Sequence, residues 1–138
     1  MRVVCDTNIL ISALVFPGGS PERILDLARQ GHIELYISDF IINEFSHVLE
    51  HKFHFGQNDV HKRVDYMKGL ANTVAPKEKL SVIRAHEPDN RILECAVAAN
   101  ADVLISGDKH VLRIDEYKGI KIVAASDFVA MFDGRVSK

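Results

Sequence analysis

The chain has no tryptophan, only two cysteines and four prolines in 138 residues. It also lacks any uninterrupted apolar stretch of about eighteen residues, so no segment reads as a membrane span. There is no surplus of positive charge: 17 Lys plus Arg face 19 Asp plus Glu, a net charge of −2. That is not the basic footprint of a protein that holds nucleic acid by charge alone. A storage or architectural role is weakened, and an enzyme stays open. Cys5 and Cys95 lie far apart in apolar surroundings and read as reduced, buried small hydrophobes rather than a redox or metal pair. No basic-then-apolar leader precedes the first strand, which makes a cytoplasmic location the expectation. Pro17-Gly18-Gly19-Ser20 lacks the lysine and spacing of a phosphate loop and reads as a turn.

What is there is ordinary for a globular protein, 47% apolar and 26% charged. Without repeat, low-complexity tract or linker, residues 1–138 are expected to form a single domain. Arg2 to Cys5 reads as a buried central strand. Ser20-Pro21-Glu22 supplies a cap, an early proline and an early acid for a helix to about Gln30. Ile33 to Ile37 is expected as the second strand. Ser38 then caps a long helix from Asp39 to about Phe53, whose Ile41, Phe45, Val48 and Leu49 keep helical spacing.

Asn58 is expected to cap a helix to about Leu70, and Thr73 to Ala75 to form a short third strand. Pro76 to Pro88 carries no assignable pattern. Asp89 opens a helix rich in small residues that ends near Asn100. Strands follow at Asp102 to Ser106 and Ile120 to Val123, with a short helix at His110 to Ile114 between them. Ser126 is expected to cap a last helix through Met131. Strands alternating with helices imply an α/β fold with a parallel sheet.

Asp6 and Asp108 each close a short apolar run, so both stand at the carboxyl ends of strands, where ligands bind in open α/β sheets. Asp89 stands at a helix start. Glu44, inside the long helix, projects about 90° from the centre of its apolar face and can lean over the sheet rim. Two carboxylates about 5 Å apart repel by about 3 kcal/mol at an effective dielectric near 20. A hard divalent cation offsets that cost, and oxygen-only ligands favour Mg²⁺ or Mn²⁺ over zinc. The chemistry such a site suits is metal-assisted cleavage of a phosphate ester.

Each acid also has an ordinary reading. Asp6 suits a strand-end turn with Asn8 as a cap, Asp89 a helix cap, Asp108 a turn after Gly107, and Glu44 a solvated helix surface. Taken singly, each fits that account better. The conjunction shifts the balance, because two of the acids end strands that this fold places side by side. Glu44, His47, His51 and His54 form a stripe along the long helix, but no His-Glu-x-x-His answers it, and a solvated edge near a cleft is the better reading. Lys52, Lys62, Arg63, Lys109 and Arg113 are scattered and read mostly as solvated surface.

With these residues assembled, the chain resembles the PIN-domain family of small metal-dependent ribonucleases, which includes toxins of toxin–antitoxin pairs. The resemblance covers nearly the whole chain. It rests on Asp6-Thr7-Asn8-Ile9-Leu10, on Glu44, and on the segments Glu87-Pro88-Asp89-Asn90-Arg91-Ile92-Leu93-Glu94-Cys95-Ala96 and Ala101-Asp102-Val103-Leu104-Ile105-Ser106-Gly107-Asp108. It implies a three-layer α/β/α fold with about five parallel strands in order 3-2-1-4-5. It also implies that Asp6, Glu44, Asp89 and Asp108 form a catalytic, metal-holding acidic pocket, with Thr7, Asn8 and Ser106 in support and Asn8 backing Asp6. Ser106 keeps the hydroxyl of the threonine common there. Asp102 starts its strand and takes a structural role. Glu94 lies about 140° around its helix from Asp89, so the two cannot face one ion equally.

The resulting expectation is an endoribonuclease acting on single-stranded or looped RNA with one or two Mg²⁺ or Mn²⁺ ions, as the toxin of a toxin–antitoxin pair. An antitoxin partner and a homodimer belong to it. DNA cleavage is open on chemical grounds, since no 2′-hydroxyl is needed. The alternative is a catalytically silent RNA- or protein-binding module of the same fold. A phosphohydrolase with an aspartyl nucleophile is weaker, because the position two residues after Asp6 is Asn8, not a second acid.

Overall fold

A computed structural model describes residues 1–84 and 86–136. Along the chain run β1 (Arg2–Cys5), α1 (Thr7–Val15), α2 (Ser20–Arg29), β2 (Glu34–Ile37), α3 (Asp39–His51), α4 (Gln57–Leu70) and β3 (Asn72–Thr73). They are followed by α5 (Pro88–Ala98), β4 (Val103–Ile105), α6 (Lys109–Leu112), β5 (Glu116–Tyr117), β6 (Ile120–Val123) and α7 (Ala125–Val136). The strands form one sheet in the order β3-β2-β1-β4-β6-β5. The expected five-strand parallel order is there, with β6 as its last member. Helices flank the sheet.

The sheet has one strand more than expected. β5 pairs antiparallel with β6, Tyr117 opposite Ile120. Lys118 and Gly119 between them both take positive φ, 49° and 82°, the geometry of a tight hairpin turn whose twist matches its strands. Asn-Gly or Asp-Gly would have announced that turn; Lys-Gly does not.

The central pair β1 and β4 is buried from Val3 to Cys5 and from Val103 to Ile105, as a strand covered on both faces requires. α5 lies across β1, β2 and β4. Its Leu93, Cys95 and Ala96 are buried, and small side chains there let the helix approach the sheet closely. Burying a leucine or phenylalanine side chain contributes about 1.5–3 kcal/mol, so Leu93 here and Phe45 of α3, both fully buried, are substantial anchors. Both cysteines are free and buried. Burial pushes their thiols up, that of Cys95 to about 12.

α1 was absent from the sequence expectation. Its residues Ile9, Leu10, Ile11 and Ala13 are buried, and an almost wholly apolar run shows no helical stripe. Two helices begin earlier than expected, α2 by one residue and α4 by two, capped by Gly19 and Gly56 without a side-chain bond. Ser126 lies inside α7 rather than at its cap. Among the described residues no helix is long and apolar enough to cross a membrane.

The stretch before α5 has no regular structure because α5 side chains take over its hydrogen bonding. Asn90, 0% exposed, accepts from the amides of Val82 and Ile83 at 2.9 and 2.8 Å and donates to the Ile83 carbonyl at 2.8 Å. Glu94 accepts from the Leu80 amide at 2.7 Å and pairs with Arg91, which donates to the Leu80 carbonyl. Leu80 and Ile83 are thereby held in the core.

Candidate active site

β1 and β4 are parallel neighbours with Cys5 opposite Ile105, so the residues that follow both emerge at one rim. The Asp6 amide extends the ladder to the Ile105 carbonyl at 2.9 Å. Its carboxylate then begins α1: Oδ1 accepts from the Ile9 amide at 3.0 Å, while Oδ2 accepts from the Ser106 hydroxyl. The Ser106 oxygen accepts in turn from the Asp108 amide at 3.1 Å. Asp108 caps α6, its Oδ1 taking the amides of His110 and Val111 at 2.7 and 3.4 Å. The ordinary cap readings of Asp6 and Asp108 are thus real, and each cap also fixes a carboxylate at the rim.

Asp89 reaches the same rim from the first turn of α5, where a carboxylate is favoured by the helix dipole. One of its oxygens, Oδ2, is buried without an aligned hydrogen bond and stands 3.1 Å from Nδ1 of His86. Glu44 arrives from the middle of α3, half-buried. A single cleft of about 130 Å³ is lined by Asp6, Glu44, Asp89 and Asp108 together with Thr7, Asn8 and His86.

No lysine or arginine lines this cleft, and the carboxylates feel each other. Asp6 is 7% exposed. Burial raises its carboxyl above the ordinary range and the nearby Asp89 charge adds to the rise, against hydrogen bonds from Ser106, Ile9 and Gly107 that lower it. Asp89 is raised too, by burial first and then by Asp108, with His86 opposing. The donor set fits a hard divalent cation: carboxylate oxygens from four segments, one of them without an aligned hydrogen bond, and no lysine or arginine in the lining to neutralise them. Among the described residues no three His, Cys, Asp or Glu side chains converge to ligating distance as they stand. Their oxygens are turned instead to the helix caps, to Ser106 and to His86.

The supporting residues divide. Ser106 bonds Asp6 directly. Asn8 is exposed on the cleft edge, and the bonds that hold Asp6 come from Ser106, Ile9 and Gly107 instead. Thr7 is buried with its hydroxyl unpartnered. Glu94 lies outside the cleft, in the anchor of the preceding segment. Asp102 is at the opposite rim, accepting from the Arg2 amide at 2.8 Å. His47 and His51 are exposed with ring centroids 4.2 Å apart, and neither they nor His54 lines the cleft. His86 was missed in the sequence; three residues before Asp89, just outside a helix start, it had the spacing to be found.

A profile of the PIN domain family matches residues 2–110. The uncharacterised protein MJ1680 of Methanocaldococcus jannaschii is 32% identical over 127 residues, covering 88% of this chain and 81% of that protein. The fold is similar to a chain in the crystal structure of VapBC2 from Rickettsia felis bound to a DNA fragment from their promoter, with TM-score 0.64 at 17% identity, over 88% of this chain and 97% of that one. A cleft of carboxylates drawn from four segments at one sheet rim, inside a match that spans most of the sequence, places the chain in the PIN domain family.

Proposed function

We propose that residues 1–138 form one PIN-like domain that acts in the cytoplasm as a metal-dependent endoribonuclease on single-stranded or looped RNA. The observation that carries this reading is the shared cleft of Asp6, Glu44, Asp89 and Asp108, where burial first and then a neighbouring acid, Asp89 for Asp6 and Asp108 for Asp89, raise two of the carboxyls. Asp6 and Asp108, oriented by their caps, are the fixed members of an ion-holding set that Asp89 and Glu44 complete. A bound Mg²⁺ or Mn²⁺ supplies charge neutralisation at the scissile phosphate and a more acidic water. The chain's own part is to present carboxylate oxygens, to orient an attacking water and to accept its proton. Asp89 suits the last task, since burial raises its carboxyl at the cleft. Ser106 keeps Asp6 from turning away. A recessed rim admits a flexible strand more readily than a duplex.

The family resemblance and the likeness to the VapBC2 chain support a toxin role with an antitoxin that covers the acidic cleft. A homodimer is part of the same proposal. The test is cleavage of end-labelled RNA by purified protein, with EDTA and Asp6→Asn as controls. Activity in the untreated wild type alone supports the reading, and equal cleavage in all three sinks it. One observation favours a second reading, a silent RNA- or protein-binding module: among the described residues no three acids stand at ligating distance. Calorimetric titration with Mn²⁺ separates the two, as the silent module takes up none.

A further inference from the structure

α1 and α3 pack against each other and run side by side away from the acidic cleft. Asn8, near the start of α1, and Glu44, in the middle of α3, line that cleft. At their far ends Phe16 and Phe53 meet edge to face, ring centroids 6.0 Å apart. Nine residues at about 1.5 Å each separate Glu44 from Phe53, so the track is roughly 13 Å long. That is room for about four nucleotides at 3.4 Å each, and fewer in an extended strand.

Its chemistry changes along its length. Val48, His51 and Lys52 follow Glu44 on one face of α3, while Ser12 follows Asn8 one turn on along α1. Glu50, the other acid beyond Glu44, points about 120° away around the helix. At the far end Phe16 is 60% exposed, a large apolar ring whose contact with Phe53 is edge to face, and the Lys52 ammonium sits 5.8 Å from the Phe53 ring centre. An exposed ring beside a cation, reached from a phosphate-cleaving site by an acid-free surface, has the composition of a single-strand binding platform.

We infer that this face of α1 and α3 carries the RNA flanking the scissile phosphate, with a base stacked on Phe16 and a backbone phosphate on Lys52. The inference rests on the ribonuclease reading and specifies where its substrate lies. It also gives the exposed end of the histidine stripe a use, since His51 borders the track.

Both side chains are exposed, so Phe16→Ala and Lys52→Ala are expected to leave the fold intact, with an unchanged melting temperature as the check. Binding of a labelled single-stranded decaribonucleotide is read by anisotropy, in an Asp6→Asn background that prevents cleavage. Phe16→Ala is expected to weaken it about tenfold. Lys52→Ala is expected to reduce the slope of log affinity against log salt by about 0.7. In the active protein both changes raise KM for the decamer and leave a dinucleotide unaffected. Unchanged decamer affinity and salt slope overturn the inference. So does a loss confined to binding a protein partner, which gives the surface to that partner. If wild type cleaves nothing yet Phe16→Ala still weakens RNA binding, the ribonuclease reading fails and the track survives; cleavage indifferent to both substitutions is the reverse.

Discussion

The Ser106 hydroxyl donates to Oδ2 of Asp6, joining two residues a hundred positions apart at the ends of adjacent strands. This bond opposes the burial that raises the Asp6 carboxyl, so it favours the charged form that a cation needs. Ser106→Ala is expected to cost about 1–3 kcal/mol, the penalty of a buried acceptor left without its donor. It should also raise the Asp6 carboxyl further and weaken Mn²⁺ uptake. Ser106→Thr restores both. Thermal melts and Mn²⁺ titration of the two variants check this.

Asp6 is a cost to the fold at neutral pH. Its carboxyl is raised in the native state, so the folded chain holds its proton more tightly than the unfolded one. The associated stability is present below the ordinary carboxylate range, near 3.9, and is lost as pH rises through the raised value. Asp6→Asn keeps an oxygen for the Ile9 amide and removes the buried charge. It should melt a few degrees higher than wild type at pH 7, with the gap closing at pH 3. A lower melting temperature at pH 7 would show that Asp6 stabilises the apo fold.

Divalent metal should reverse that order. An ion bound only by the folded state at a hundred times its Kd adds about 2.7 kcal/mol. Mn²⁺ is therefore expected to raise the wild-type melting temperature and to leave Asp6→Asn and Asp108→Asn nearly unmoved. Equal shifts in all three would place the bound ion elsewhere.

Glu94 and Asn90 serve structure rather than the cation. Asn90→Ala strands the amides of Val82 and Ile83 and should destabilise by about 2–4 kcal/mol. Glu94→Gln loses the charge facing Arg91, and is expected to lower stability while Mn²⁺ affinity stays within about twofold. A tenfold loss of Mn²⁺ affinity in Glu94→Gln would make that carboxylate part of the metal site.

How far the sequence could be read follows from where each interaction is local. The ends of β1 and β4 were legible because an unbroken apolar run followed by an acid has few other meanings in an α/β pattern. Glu44 was legible from helical geometry alone, since α3 has a clear apolar stripe. α1 was hidden because its cap, Asp6, also ends a strand and its residues are apolar on nearly every side. β5 was hidden behind a lysine in a left-handed turn. The stretch before α5 had no pattern to find, as its order comes from Asn90, Arg91 and Glu94 in the next helix. The hydrogen bonds that steer Asp6 are set across strands, which is why Asn8 looked like its support and Ser106 provides it.

Diffraction from crystals soaked in Mn²⁺, recorded at the manganese absorption edge, tests most directly whether these acids grip a cation. The account predicts an anomalous peak within ligating reach of Asp6, Asp89 and Asp108, with those side chains swung away from their present partners. A fully soaked crystal with no peak there, or with its peak on the His47 and His51 flank, would contradict it.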